Sequence, residues 1–173
     1  MSKLILYAAV SKDGFIADAK GGVEWLEEFG KDDEDYGYHD FIKRLGAIVM
    51  GSTTYIQSLS FGDWPYGDIE SFVLTHKDLS PAPKDTITFV EGDIVPVVEQ
   101  AKKAAAEKDV WLLGGADIVA QCIDKNLIDQ FMIFTMPVKI GEGIALPLPL
   151  FKTSENTEYD DGVVRTISPA PVL

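Results

Sequence analysis

Five strand-length stretches of this chain are apolar almost throughout, where a half-buried strand would alternate. They cover residues 3–10, 47–50, 71–75, 110–113 and 128–136. A strand with no polar face has both sides packed, which is the situation of a parallel sheet covered by helices. Between these runs lie segments of helical character. Residues 95–108 are rich in Ala, Glu and Lys, with Pro96 placed where a first turn tolerates it, and a further helix runs from Gly115 to about Lys125. Tyr38, Phe41, Ile42 and Leu45 fall at helical spacing, which predicts a helix capped by Asp32 or Asp33 and ending near Leu45. Alternating strands and helices imply right-handed crossovers and a mostly parallel central sheet.

A further short strand is expected over residues 86–90, and the tail from 158 to 167 reads as a hairpin turning at Asp160-Asp161-Gly162. It would add antiparallel strands to one edge of the sheet. The expected architecture is therefore a three-layer α/β domain spanning residues 1–173, long enough to bury a sizeable core. No internal repeat or linker divides it.

The net charge of −13 opposes binding to nucleic acid or to an anionic membrane, both of which require a positive surface. An anionic ligand would need local positive potential, which backbone amides at helix N-termini can supply. The single cysteine, Cys122, cannot form an internal disulfide and reads as a small buried hydrophobe. No apolar run approaches the roughly 20 residues of a membrane span, so the expected location is the cytoplasm. His39 has no Cys or His neighbours at ligand spacing, and no metal site is expected.

Three strand ends share one design. Met50 leads into Gly51-Ser52-Thr53-Thr54, Leu74 into Thr75-His76, and Leu113 into Gly114-Gly115-Ala116-Asp117. Ligands of open α/β sheets bind at the carboxyl ends of the strands, where glycine lets a phosphate approach the backbone. Glycine there also serves a plain tight turn, so the coincidence of three such ends carries the ligand reading. The usual G-x-G-x-x-G fingerprint is absent after the first strand. That strand instead carries Ala8-Ala9 before the Ser11-Lys12-Asp13-Gly14 turn, leaving room for a flat ring.

These motifs, with Val23-Glu24-Trp25-Leu26, Ile48-Val49-Met50-Gly51-Ser52-Thr53-Thr54-Tyr55, Leu112-Leu113-Gly114-Gly115-Ala116 and Pro137-Val138-Lys139-Ile140-Gly141-Glu142-Gly143, run in one order along the chain. In that order the sequence resembles the dihydrofolate reductase-like superfamily, in the branch of the riboflavin-biosynthesis reductase domain. The resemblance implies a mostly parallel sheet with an antiparallel final strand, and hydride transfer from NADPH to a small heterocycle, as in 5-amino-6-(5-phosphoribosylamino)uracil reductase or dihydrofolate reductase. On matching positions, Ala9 and Ile16 would line the nicotinamide. Gly51, Ser52, Thr53 and Thr54 would hold the pyrophosphate from one side, and Gly114, Gly115, Ala116, Asp117 and Ile118 from the other. Leu74, Thr75, His76 and Lys77 would meet the adenosine half, while Trp25, Tyr38 and Tyr55 are the aromatic candidates for the substrate.

The chain departs from its relatives in two places. Ser52 stands where related chains often carry an arginine for the 2′-phosphate, leaving His76 and Lys77 as nearby cations and NADH open beside NADPH. The carboxylate with which dihydrofolate reductase holds its pterin has no single counterpart, since Asp35, Asp40 and Glu28 are all candidates. Asp13 is a catalytic candidate or a turn former. The pattern of a zinc deaminase, H-x-E with P-C-x-x-C, is absent. A non-catalytic nucleotide sensor and a flavodoxin-like phosphate binder are the competing readings.

The run from Ile144 to Phe151 is apolar and hard to bury within one small domain, which together with the resemblance implies a homodimer. Light scattering at micromolar concentration should return the dimer mass; the monomer mass would contradict this.

Overall fold

The computed structural model of the chain describes residues 1–31 and 33–171. In chain order its strands are β1 (Leu4–Ser11), β2 (Phe15–Ala17), β3 (Leu45–Gly51), β4 (Glu70–Leu74), β5 (Ile87–Val90), β6 (Asp109–Gly114), β7 (Gln130–Met136), β8 (Ile144–Ala145), β9 (Glu155–Glu158) and β10 (Val164–Pro169). The main sheet has the order β5-β4-β3-β6-β1-β7-β10-β9. From β5 to β7 every neighbouring pair is parallel, while β10 runs antiparallel to both β7 and β9. This is the α/β architecture that the apolar runs imply, with the antiparallel strands at one edge.

The reason those runs do not alternate is visible on β1. Leu4 and Leu6 belong to one apolar layer and Ile5 to the other, and all three are fully buried. Helices α3 (Ile94–Ala105) and α4 (Ala116–Asp124) cover the first layer with Val97, Val98, Ala101, Val119 and Cys122. The thiol of Cys122 is pushed up to about 12 by burial, which makes it an inert packing residue. Helices α1 (Tyr38–Lys43) and α2 (Ser52–Ser60) cover the second layer, where Phe41 and Tyr55 pack with Ile48, Met50 and Trp111.

One sequence expectation is corrected here. Helix α1 does not begin at Asp33, and Asp32 lies outside the described residues. Asp33, Tyr36 and Gly37 have φ of 64°, 52° and 83°, and these left-handed residues break any helix before Tyr38. The capping role falls to Asp35, whose carboxylate accepts the N–H groups of Gly37 at 2.8 Å and His39 at 3.1 Å. Those bonds, with the His39 ring, hold its pKa down at about 2. The run from Ile144 to Phe151 is divided between the domain and its surface: Leu146 is buried and Leu148 and Phe151 lie against the first layer, while Ile144, Ala145, Pro147 and Leu150 are exposed.

Among the described residues, no helix is long and apolar enough to cross a membrane.

The close approach of α3 to the sheet rests on Gly46. A Cβ added there would lie 2.6 Å from the Cα of Ala105 and 2.7 Å from its carbonyl oxygen. Both are backbone atoms that cannot swing aside. Gly46→Ala should therefore cost about 1–3 kcal/mol in urea unfolding, the usual penalty of overpacking; wild-type stability would mean the helix shifts freely.

Candidate functional site

Strands β3 and β6 are neighbours, and each ends by turning directly into a helix. Gly51 precedes α2, and Gly115 precedes α4. Neither helix has a side chain bonded to its first amides, so the free N–H groups of both first turns face outward at the carboxyl edge of the sheet. Gly51 allows the two to come together, because a Cβ there would lie 3.0 Å from Cγ1 of Ile118 on α4. The Thr54 hydroxyl stands over the Gly114-Gly115 pair, 3.5 Å from where a Gly115 Cβ would be.

Between these helix starts runs a trough of about 540 Å³. Its floor follows the strand ends. Ile16 and Ala17 lie at one extremity, Gly51 to Thr54 and Gly115 to Ile118 in the middle, and Leu74, Thr75, His76, Glu91 and Gly92 at the other. A second cavity of about 280 Å³ adjoins it and shares Ile16, Ala17, Thr54, Gln57 and Gly115 with it. Ala8, Ala9 and Gly114 border this second space, with Tyr7, Leu26, Phe61, Tyr66, Trp111 and Leu146 around them. The total is the size of a ligand site, predominantly apolar with a few polar groups.

The loop after β7 forms the roof. Lys12 N–H donates to Val138 O at 2.7 Å, and β2 pairs with β8, bringing Ile144 to the trough. Asp13 locks this contact. Its carboxylate accepts the Ser11 hydroxyl at 2.6 Å, Gly141 N–H at 2.8 Å and Ile140 N–H at 3.2 Å. These bonds, led by that of Ser11, hold its pKa below the usual carboxylate range. A carboxylate so engaged, outside both cavities, is a fastener for the loop and not a proton donor.

Of the residues singled out by sequence, Ile16, Gly51, Ser52, Thr53, Thr54, Leu74, Thr75, His76, Gly115, Ala116, Asp117 and Ile118 line the trough, while Ala9 and Gly114 line the adjoining cavity. The aromatic candidates do not meet there. Tyr55 is 2% exposed and packs on Trp64 and Phe89 in the core. Tyr38 leans on Tyr7 and Trp111 from behind the second cavity, and Trp25 is half-buried outside both spaces. Lys77 is exposed and outside the trough. Tyr7, Tyr66 and Trp111 are the aromatic lining instead. Burial raises the pKa of Tyr7 and of Tyr66, so both phenols stay protonated and can donate. Sequence reasoning also missed Glu91 and Gly92, though the rule of strand carboxyl ends applies equally to the end of β5. Gln57 and Gln121 lie one helical turn beyond Thr53 and Asp117 and were legible from helical spacing.

Residues 64–167 match the RibD C-terminal domain. The chain belongs to this family. The uncharacterised protein YwjB of Bacillus subtilis (strain 168) is 33% identical over 146 residues, spanning 83% of this chain and 82% of YwjB. Uncharacterised YyaP from the same organism is 28% identical, over 95% and 93% of the two lengths. Among solved structures, a protein of Shewanella sp. PV-4 provisionally assigned to riboflavin biosynthesis superposes with a TM-score of 0.81 at 25% identity, over 98% of this chain and 99% of its own. The diaminohydroxyphosphoribosylaminopyrimidine deaminase/5-amino-6-(5-phosphoribosylamino)uracil reductase of Thermotoga maritima superposes with a TM-score of 0.70 at 15% identity, over 98% of this chain and 57% of the larger protein, and shares the fold.

The groups in the middle of the trough suit the pyrophosphate of a nicotinamide dinucleotide. Two uncapped helix N-termini and glycine backbone form a cradle for a pyrophosphate. The far end fits less well with a 2′-phosphate, since no Lys or Arg lines the trough among the described residues.

Gly115 offers a clean test of the cradle. Its φ of −75° suits any residue, and an added Cβ meets Thr54 at ordinary contact distance. Gly115→Val should fill the trough and lose dinucleotide binding by fluorescence titration, in a variant that circular dichroism shows to be folded. Unchanged affinity in the folded variant would reduce the glycine pair to a turn.

Proposed function

We propose that this chain is a reductase in which a nicotinamide dinucleotide lies along the trough and a small flat ring occupies the adjoining cavity. The observation that carries this reading is the junction of the two spaces at Ile16, Thr54 and Gly115. A ligand anchored by its phosphates between α2 and α4 reaches the second cavity with its end. When bound, the cofactor supplies the hydride, and the protein's task is to position the two rings.

Each lining residue has a part in that task. Ser52, Thr53 and the amides of both first turns hold the phosphates. Ala8 and Ala9 keep the strand low enough for a ring to lie over it, and Trp111 and Tyr66 give the ring aromatic walls. Trp111 is itself fixed by its Nε1–H, which donates to Tyr7 O at 3.1 Å. The Tyr66 hydroxyl lies 3.2 Å from Ser58 Oγ, and this pair is the proton source we assign to the site.

Membership of the RibD C-terminal domain family supports a pyrimidine- or pterin-like substrate, with a part in riboflavin biosynthesis as the leading form of the reading. The name of the Thermotoga relative is the basis for 5-amino-6-(5-phosphoribosylamino)uracil as the first compound to try, and the family gives NADPH as the expected cofactor. One observation favours the non-catalytic sensor: among the described residues, no carboxylate lines the second cavity.

Loss of dihydronicotinamide absorbance with a panel of pterins and aminopyrimidines separates the two. Turnover with at least one member of the panel is expected. Tight cofactor binding without turnover across the panel would favour the sensor, and absence of cofactor binding would sink both.

A further inference from the structure

The trough has a direction, set by the order of the strands. Along the carboxyl edge the sheet runs β1, β6, β3, β4, β5, and the lining residues follow in the same sequence, from Ile16 beyond β1 to Glu91 beyond β5. The helix N-termini that suit a pyrophosphate lie in the middle, after β6 and β3. The second cavity opens at the β1 end. A dinucleotide whose reactive ring faces that cavity must place its other nucleoside beyond β4 and β5, beside Thr75, His76, Glu91 and Gly92.

The local backbone fixes these groups. Thr75 N–H donates to Val90 O at 2.8 Å, which ties the end of β4 to the residue before Glu91. Thr75 Oγ1 accepts Lys77 N–H at 3.0 Å, which curls the chain so that His76 borders the trough while Lys77 remains exposed outside it. Of the residues lining the whole trough among the described residues, two are acidic, Glu91 and Asp117, and His76 is the one basic residue. Asp117 belongs to the first turn of α4, so Glu91 is the carboxylate at the nucleoside end.

Resting on the dinucleotide reading above, we infer that Glu91 selects the cofactor at its adenosine ribose, accepting the 2′-hydroxyl of NADH and repelling the 2′-phosphate of NADPH. A carboxylate accepts hydrogen bonds and cannot donate them, so it pairs with a ribose diol and opposes a phosphate. Selection of this kind works as much by repelling the wrong ligand as by holding the right one. The chain thus inverts the cofactor preference that its family suggests. The ligand's phosphates are served by amides in the middle of the trough, and a third phosphate at the far end meets a like charge.

The test is equilibrium titration of the intact protein with NADH and with NADPH, read by calorimetry. NADH should bind about tenfold tighter, the scale of one repulsive contact at a partly solvated site. Glu91→Gln should shrink that ratio to about threefold or less, mainly by strengthening NADPH, and Glu91→Arg should reverse it. The wild-type ratio should narrow as salt is raised, because the contact lies at the exposed end of the trough. Tighter binding of NADPH, or a ratio unmoved by Glu91→Gln in a folded variant, overturns the inference. So does a selective loss of NADPH binding in Lys77→Ala, which would make Lys77 the reader of the 2′-phosphate. Equal binding of both cofactors removes this inference alone, whereas binding of neither removes the reductase reading with it.

Discussion

A parallel strand packed on both faces has few side chains left to offer a ligand, so most of the chemistry gathers at its ends, joined here by Tyr7, Ala8, Ala9 and Trp111 where β1 and β6 border the second cavity. That constraint organises this molecule. Leu4, Ile5 and Leu6 on β1, Ile48, Val49 and Met50 on β3, and Val110 and Leu112 on β6 have no exposure at all. The parallel order then brings the carboxyl ends of β1, β6, β3, β4 and β5 to one edge in a row. Strands β3 and β6 turn there directly into α2 and α4, whose first turns present amides without a side-chain cap. The trough is the consequence of burying the sheet.

The same constraint resolves an electrostatic difficulty. A chain with a net charge of −13 repels a dinucleotide at long range. In the reading proposed above, the middle of the trough would meet that ligand with peptide dipoles, which add no formal charge and are held by the helices behind them. Side-chain charge lines the trough at two places, the Asp117 carboxylate in the first turn of α4 and, at the outer end, Glu91 with His76, where it can discriminate between ligands without being needed for their capture.

Much of this arrangement was legible in the sequence, and for a clear reason. Unalternated apolar runs report two-sided burial, and Gly51, Gly114 and Gly115 report turns in which backbone is exposed; both signals are local. Twelve of the proposed positions, from Ile16 to Ile118, border the trough because they follow strand ends. What failed depended on the third dimension. Tyr55 follows Thr54 in the same motif but, about 100° further round the helix, turns into the core, and a residue's neighbours in the sequence do not say which face of α2 is covered. Asp13 looked available beside the nicotinamide end. Its carboxylate is instead satisfied by Ile140 and Gly141, more than a hundred residues away in the chain. Helix α1 was overextended because its apolar spacing is real but Tyr36 and Gly37 adopt left-handed conformations just before it.

The central claim is that the first turns of α2 and α4 together bind the phosphates of a nicotinamide dinucleotide. An amide-resolved NMR titration of the intact protein with NADH tests it most directly. The N–H resonances of Ser52, Thr53, Thr54, Ala116 and Asp117 should shift together and saturate at one ligand concentration. If those amides stay in place while the ligand binds elsewhere, or if no resonance moves, the trough is not a dinucleotide site.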